Sequence, residues 1–203
     1  MLVHAVRALA ASRVVDIVVV AAPEDTSDSV AAMLAEQSFG AEVVVVTGGE
    51  SRLDSVARAL LALPADVDVV LVHDAARPLV PEELVTSIVA AVRSGHAAVV
   101  PGLAVVDTIK QVDADGTVHR TVDRSPLRAI QTPQGFEREL LQRAHAAADP
   151  EPIAVTDDAG LVELLGVPVH VVPGHEEAFK VTRPFDILVA EAVLARRRAS
   201  GAV

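Results

Sequence analysis

Asp74 and Arg77 stand three residues apart at the end of an apolar, β-branched run, Val67, Val69, Val70, Leu71 and Val72. A run this short, bounded by Arg77-Pro78, reads as a buried strand. In open α/β sheets ligands bind beyond the carboxyl ends of strands. An acid and a guanidinium held together there suit a divalent cation and a phosphate group. A structural ion pair closing the strand is the other reading, and these residues alone do not choose between the two. A second cluster of this kind is Gly48-Gly49-Glu50, which follows the run Glu42–Val46 and opens a helical pattern. Two glycines let backbone approach a ligand, and a helix start presents free N–H groups. Ser55, one turn later, faces the same space. The bland alternative is a tight loop that only joins strand to helix.

Other polar residues lie in loops beside apolar segments: Thr108, Arg124, Thr132, Thr156 and Lys180. Hydroxyls and cations without a paired acid suit a phosphate, although each also fits a helix cap or a solvated side chain. Asp107, Asp157 and Asp158 read equally well as turn or helix caps. The seven histidines show no i, i+4 pair, and none is assigned to a metal. No nucleophile-elbow motif is visible.

The elements that must hold these residues follow from periodicity. Helical patterns cover Leu2–Ala10, Asp25–Glu36, Ser51–Leu63, Pro81–Arg93, Phe136–Ala147, Asp157–Leu165 and Arg183–Arg197. Strand patterns cover Val14–Ala22, Glu42–Val46, Asp68–His73, Ala97–Pro101, Leu127–Gln131, Pro168–Val172 and a short segment at Phe179–Thr182, with a loop over Asp149–Thr156. The alternation predicts an α/β fold with a mostly parallel sheet covered on both faces. Residues 105–124 break it. Two alternating runs flank Asp113-Ala114-Asp115-Gly116, a hairpin signal. A polar hairpin has no core of its own, so it is expected to project as an arm and pack on a second subunit. Folding back on its own domain is the alternative.

Composition sets the outer bounds. The 203 residues are expected to form one domain; 51% are hydrophobic but only 2% aromatic, so the core is aliphatic. There is no Cys, which removes disulfides and thiolate metal sites. A net charge of −11 argues against nucleic acid or an anionic membrane as partner. No apolar stretch has the length of a membrane span, and no secretory signal pattern is visible at the N-terminus. A cytoplasmic location is therefore expected.

With these segments in hand the chain resembles the 2-C-methyl-D-erythritol 4-phosphate cytidylyltransferases of the non-mevalonate isoprenoid pathway. The matching stretches are Gly48–Val56, His73–Pro78, Asp107–Lys110, Leu127–Gln134, Thr156–Ala159 and Phe179–Thr182, in the family's order over nearly the whole length. The resemblance implies a three-layer, Rossmann-like nucleotide-binding fold with a β-arm that embraces a second subunit of a homodimer. It implies transfer of a cytidylyl group from CTP to a sugar-alcohol phosphate, with release of pyrophosphate. By the same resemblance Gly49, Glu50 and Ser55 contact cytosine and ribose, and Asp74 holds Mg²⁺ against the phosphates of CTP. Thr108 and Arg124, on the arm, reach the acceptor across the dimer interface, while Arg77, Thr132, Thr156 and Lys180 line the acceptor pocket. Asp74, Arg124 and Lys180 are the catalytic set it suggests. The family also begins with a strand and a glycine-rich loop carrying cations. Residues 1–6 match the helix that follows that segment, so the expectation is an incomplete N-terminus, or else a short form that dimerises without catalysis. Ribitol-phosphate cytidylyltransferases share the fold and reaction and form the alternative within the enzyme class.

Overall fold

The computed structural model describes residues 1–148 and 155–201. Most of the expected loop over Asp149–Thr156 lies outside the described residues. The chain opens with α1 (Leu2–Ala11), β1 (Ile17–Ala22), a short 3₁₀ turn (Glu24–Thr26), α2 (Ser27–Ala35) and β2 (Glu42–Thr47). It continues through α3 (Arg52–Leu61), β3 (Val69–Val72), α4 (Glu82–Arg93) and β4 (Ala98–Ala104). The hairpin strands β5 (Ile109–Val112) and β6 (Val118–Val122) follow, then β7 (Arg128–Ile130), β8 (Gln134–Glu137) and α5 (Arg138–Ala147). The last elements are α6 (Asp158–Leu164), β9 (His170–Pro173), a 3₁₀ turn (Glu176–Ala178) and α7 (Pro184–Ala199).

The fold is mixed α/β, and the expectation of a mostly parallel sheet is corrected. Strands β1 and β2 pair in parallel, as do β4 and β9, but β8 runs antiparallel between β3 and β4, and β7 pairs antiparallel with β4. The reason is β8 itself. The segment Gln134-Gly135-Phe136-Glu137 was expected to be loop and helix start, yet it returns from the hairpin into the sheet. Gly135 makes this insertion fit: a Cβ there would lie 2.5 Å from Ile88 Cγ2 of α4. The expected short strand at Phe179–Thr182 is not one. Its buried Val181 instead docks by a single backbone bond, donating to Ala76 O at 2.7 Å.

Successive residues of a strand point to opposite faces, and the core divides accordingly. Val99 joins a cluster with Val6 of α1, Val18 and Val20 of β1, and Val85 and Ile88 of α4. Ala98 and Val100 join the other cluster, with Val70 and Val72 of β3, Leu141 of α5 and Val162 of α6. The β5–β6 hairpin forms its own two-stranded sheet, with most side chains exposed.

Between β1 and β3 the sheet is interrupted. Neither strand pairs on its facing edge among the described residues. A cavity of about 750 Å³ fills the interval, lined by Val6 of α1, Val19 of β1, Val56 of α3, and Val70 and Leu71 of β3. The lining runs along both strands, from Ile17 to Ala22 and from Val69 to Val72, and reaches His73 and Asp74.

Candidate active site at the strand ends

Asp74 follows β3 directly and gathers three cations. Its Oδ2 lies 3.0 Å from Lys180 Nζ and 3.9 Å from Arg77 Nε, and its Oδ1 lies 3.6 Å from Arg52 Nε. Burial alone would raise the Asp74 carboxyl, but Lys180 foremost, then Arg52 and Arg77, hold it below the usual carboxylate range. The sequence prediction that Asp74 and Arg77 meet at a strand end agrees with this geometry, and Lys180 arrives beside them from far along the chain.

Lys180 is brought there by a zipper of backbone contacts. Arg77 Nη1 donates to Ala178 O at 2.7 Å, and Val181 N–H donates to Ala76 O. Further back, the Gln131 side-chain amide donates to His175 O at 2.9 Å and accepts from His175 N–H at 3.0 Å. Arg77 Nη1 is thus committed within the protein and acts as a strut for the segment that carries Lys180, while the buried Nε has no hydrogen-bond partner among the described residues. Burial pushes Arg77 below its ordinary value, offset in part by Asp74.

Thr132 is committed in the same way. It is buried, and its hydroxyl accepts from Asp74 N–H at 3.0 Å while meeting His73 Nδ1 at 3.0 Å. His73 Nε2 lies 3.0 Å from Arg77 O. In a neutral ring one tautomer satisfies all three contacts: Nε2–H donates to the carbonyl, and the Thr132 hydroxyl donates to a bare Nδ1. Burial pushes the His73 imidazole down to about 4, outweighing the bond to Arg77 O and the charge of Asp74. The hydroxyl assigned from sequence to a phosphate pocket thus has its proton engaged by the His73 ring and one lone pair by Asp74 N–H.

The Gly48-Gly49-Glu50 loop ends β2 and leads into α3. Gly48 N–H donates to Ala22 O at 2.7 Å, tying the loop to β1. Ser55 Oγ accepts from Gly49 N–H at 3.0 Å and donates to Ser51 O at 2.9 Å. Ser51 caps α3 in a reciprocal box with Asp54. A Cβ at Gly49 would lie 2.1 Å from Asp54 Cβ, so only glycine allows this close return. Glu50 is exposed at the tip.

The remaining predicted residues make no hydrogen bond or ion pair with Asp74 among the described residues. Thr108 and Arg124 flank the hairpin, both exposed, and Arg124 Nη1 donates to Val106 O. Thr156 is exposed just ahead of α6. The cap of α6 is Asp157, whose Oδ1 accepts from Gly160 N–H at 3.0 Å and whose Oδ2 accepts from Gln134 Nε2 at 2.7 Å.

Sequence reasoning missed two charged residues. Arg52, the first residue of α3, places Nη1 2.7 Å from Asp158 Oδ2. Asp158, which by sequence fits a cap equally well, is fully buried, and its Oδ1 meets His145 Nε2 at 2.9 Å. Burial would raise the Asp158 carboxyl, but the His145 bond and the Arg52 charge hold it low. Burial would likewise lower Arg52, and Asp158 foremost, then Asp74, keep it raised.

Among the described residues no group of three His, Cys, Asp or Glu side chains could hold a metal by itself. A lone carboxylate remains compatible with Mg²⁺, which keeps waters and takes substrate phosphates as its other ligands. Asp74 fits that role if a cation displaces the Lys180 amine from Oδ2.

The mixed α/β fold is shared with solved structures of enzymes named for this cytidylyl chemistry. The chain superposes on 4-diphosphocytidyl-2C-methyl-D-erythritol synthase from Anaerococcus prevotii with a TM-score of 0.85 and 29% identity, covering 96% of this chain and 88% of that one. On 2-C-methyl-D-erythritol 4-phosphate cytidylyltransferase from Thermus thermophilus the TM-score is 0.75 at 41% identity, covering 91% and 85%. In sequence it is 58% identical to the enzyme of that name from Frankia casuarinae over 196 residues, 97% of this chain and 71% of the relative. Residues 1–196 match the family model for 2-C-methyl-D-erythritol 4-phosphate cytidylyltransferase. The chain belongs to that family.

Proposed function

We infer that this chain is a cytidylyltransferase that transfers the cytidylyl group of CTP to 2-C-methyl-D-erythritol 4-phosphate, releasing pyrophosphate and forming 4-diphosphocytidyl-2-C-methyl-D-erythritol. The observation that carries the reading is the family match over residues 1–196. The cluster of Asp74, Lys180, Arg77 and Arg52 at the end of β3 supports it. The acceptor phosphate attacks the α-phosphorus of CTP in line and the pyrophosphate leaves. An anionic phosphate is already a nucleophile, so no strong general base is required. Catalysis rests on positioning and on neutralising charge as it develops.

Within that reading each residue takes a role. Gly49, Glu50 and Ser55 form the loop that receives cytosine and ribose. Lys180, the exposed partner of Asp74, turns to the phosphates when nucleotide binds. Asp74 would hold Mg²⁺, which would supply charge neutralisation for the triphosphate. Arg77 and Thr132 act behind this front, as strut and latch for Lys180 and Asp74, while Thr156 borders the acceptor. Thr108 and Arg124 serve the acceptor across a homodimer joined by the hairpin arm of residues 105–124. We further read the two-sided core as a three-layer, Rossmann-like nucleotide-binding domain spanning residues 1–203, working in the cytoplasm. The cavity between β1 and β3 is the seat of a further strand. Six residues of strand span about 20 Å, and their backbone would satisfy both open edges. A glycine-rich loop following such a strand would reach the Asp74 end of the slot.

The test is pyrophosphate release from CTP with Mg²⁺, offering methylerythritol phosphate and ribitol phosphate side by side. It is run on this chain and on a chain preceded by a strand and glycine-rich loop. Turnover confined to methylerythritol phosphate, and stronger in the extended chain, is expected. Turnover with ribitol phosphate alone, or silence from both proteins, overturns the assignment.

A further inference from the structure

The Asp74 cluster is tied to the interior by a line of contacts that the transfer chemistry does not explain. Arg52 straddles two carboxylates of different character. Its Nη1 sits 2.7 Å from Asp158 Oδ2, while its Nε stands 3.6 Å from Asp74 Oδ1. Asp158 is wholly buried, and its second oxygen is occupied by His145, whose side chain is itself only 7% exposed. A buried carboxylate is costly unless paired. Asp158 does not repay that cost as a helix cap, because Asp157 already caps α6. Its position makes sense as an anchor.

We propose that Arg52, held by Asp158 and His145, is a positioning residue that keeps the Asp74 carboxylate oriented for the transfer reaction. This rests on the reading of Asp74 as part of that site. The ion pair with Asp158 is the closer of the two and lies against a carboxylate oxygen that has no hydrogen-bond partner among the described residues, so Arg52 stays in place whatever Asp74 binds. It keeps Oδ1 turned toward α3. Oδ2 faces Lys180, a single amine on a side chain 48% exposed, and is the oxygen free to exchange partners. Without its anchor the guanidinium could turn two of its nitrogens onto Asp74. The closer pair would occupy the carboxylate and withdraw it from any incoming cation or phosphate. Arg52 also begins α3, directly after the Gly48-Gly49-Glu50 loop, so the same anchor joins that loop to Asp74.

The experiment is a double-mutant cycle in urea denaturation, without substrate or divalent cation, on Asp158→Asn, Asp74→Asn and the pair, repeated in an Arg52→Met background. The proposal expects the two effects on the unfolding equilibrium constant to be non-additive by about tenfold. The non-additivity should vanish once Arg52 is gone. Additivity within about twofold overturns it. If Asp158→Asn does not fold, Arg52→Lys replaces it in the cycle with Asp74→Asn, since one amine cannot straddle both carboxylates. The second readout is kinetic. In protein that turns over, Asp158→Asn should raise the Mg²⁺ concentration for half-maximal rate about tenfold and lower kcat, whereas a purely structural role would leave the Mg²⁺ dependence alone. An unchanged Mg²⁺ dependence overturns the positioning role even if the cycle shows coupling. If wild-type protein shows no transfer with either acceptor, the functional reading fails, and the cycle alone decides whether Arg52 links the two carboxylates.

Discussion

Replacing His73 with glutamine should invert the order of stability between wild type and variant as the solution is made acidic. The ring is held neutral: its Nδ1 faces the Thr132 hydroxyl, its Nε2 faces Arg77 O, and burial sets its pKa at about 4 in place of 6.5. The folded value is depressed. As pH falls below 6.5 the unfolded chain takes up a proton that the folded chain refuses until about 4. The unfolded state binds more protons across that window, so stability falls as pH falls and is flat above it. Linkage over this shift gives a loss of about 2 kcal/mol between about pH 8 and about pH 5. His73→Gln has no such titration. It keeps an amide donor for Arg77 O but leaves the Thr132 hydroxyl without its acceptor, a cost of about 1 kcal/mol at about pH 8. The variant should therefore be the less stable at the higher pH and the more stable, by about 1 kcal/mol, at the lower. Carboxylates common to both proteins cancel in the difference. The chain has no Trp or Tyr, so urea melts followed by far-ultraviolet circular dichroism, with divalent cations removed, are the assay. A gap between the two proteins that stays constant from about pH 8 to about pH 5 would refute the neutral-ring arrangement and the latch on Asp74 built from it.

Two further outcomes follow from the geometry. Gly49→Ala would drive a Cβ to 2.1 Å from Asp54 Cβ and 3.0 Å from the Asp54 carbonyl carbon. The start of α3 must yield, costing about 1–3 kcal/mol in a urea melt, with a rise in KM for CTP larger than any fall in kcat. Replacing residues 111–119 by a short turn should leave the body folded, because the hairpin pairs with no other strand among the described residues. Light scattering should then show the proposed dimer reduced to monomer with the circular dichroism of the body retained.

Local chemistry carried much of the fold in plain view. Ser51 and Asp54 spell out the start of α3, and Asp113 to Gly116 mark the hairpin turn, where Gly116 takes φ +86°. Pro81 and Gly95 bracket α4, with Gly95 at φ +106° beyond its end. What stayed hidden depends on distant partners. Strand β8 has no apolar alternation, and its identity comes from lying between β3 and β4 over a glycine that makes room for Ile88. Asp74 and Arg77 were legible because a strand end announced them. Asp158 and Arg52 were not, since nothing local says that a charge at the start of α6 will be buried against one at the start of α3. Thr132 was found as a polar loop residue, but its role depended on where His73 turned its ring.

The C-terminal helix α7 buries no residue along its 16 positions and leaves Phe185 and Leu188 exposed at 70% and 62%. Among the described residues its polar ties to the body converge on one carboxylate, Glu177, reached by Arg196 and Arg197, together with the bond from Arg197 Nη2 to Leu79 O at 2.8 Å. A helix held this way opens as a unit of its own, at a free energy well below that of global unfolding. Its amides should exchange with deuterium sooner than those of α4, whose Val85 and Ile88 are fully enclosed. Glu177 belongs to the same strand of backbone that delivers Lys180, so each detachment of α7 also slackens the tether of the amine beside Asp74. A change confined to α7 is thereby expected to alter how long that amine stays on the carboxylate.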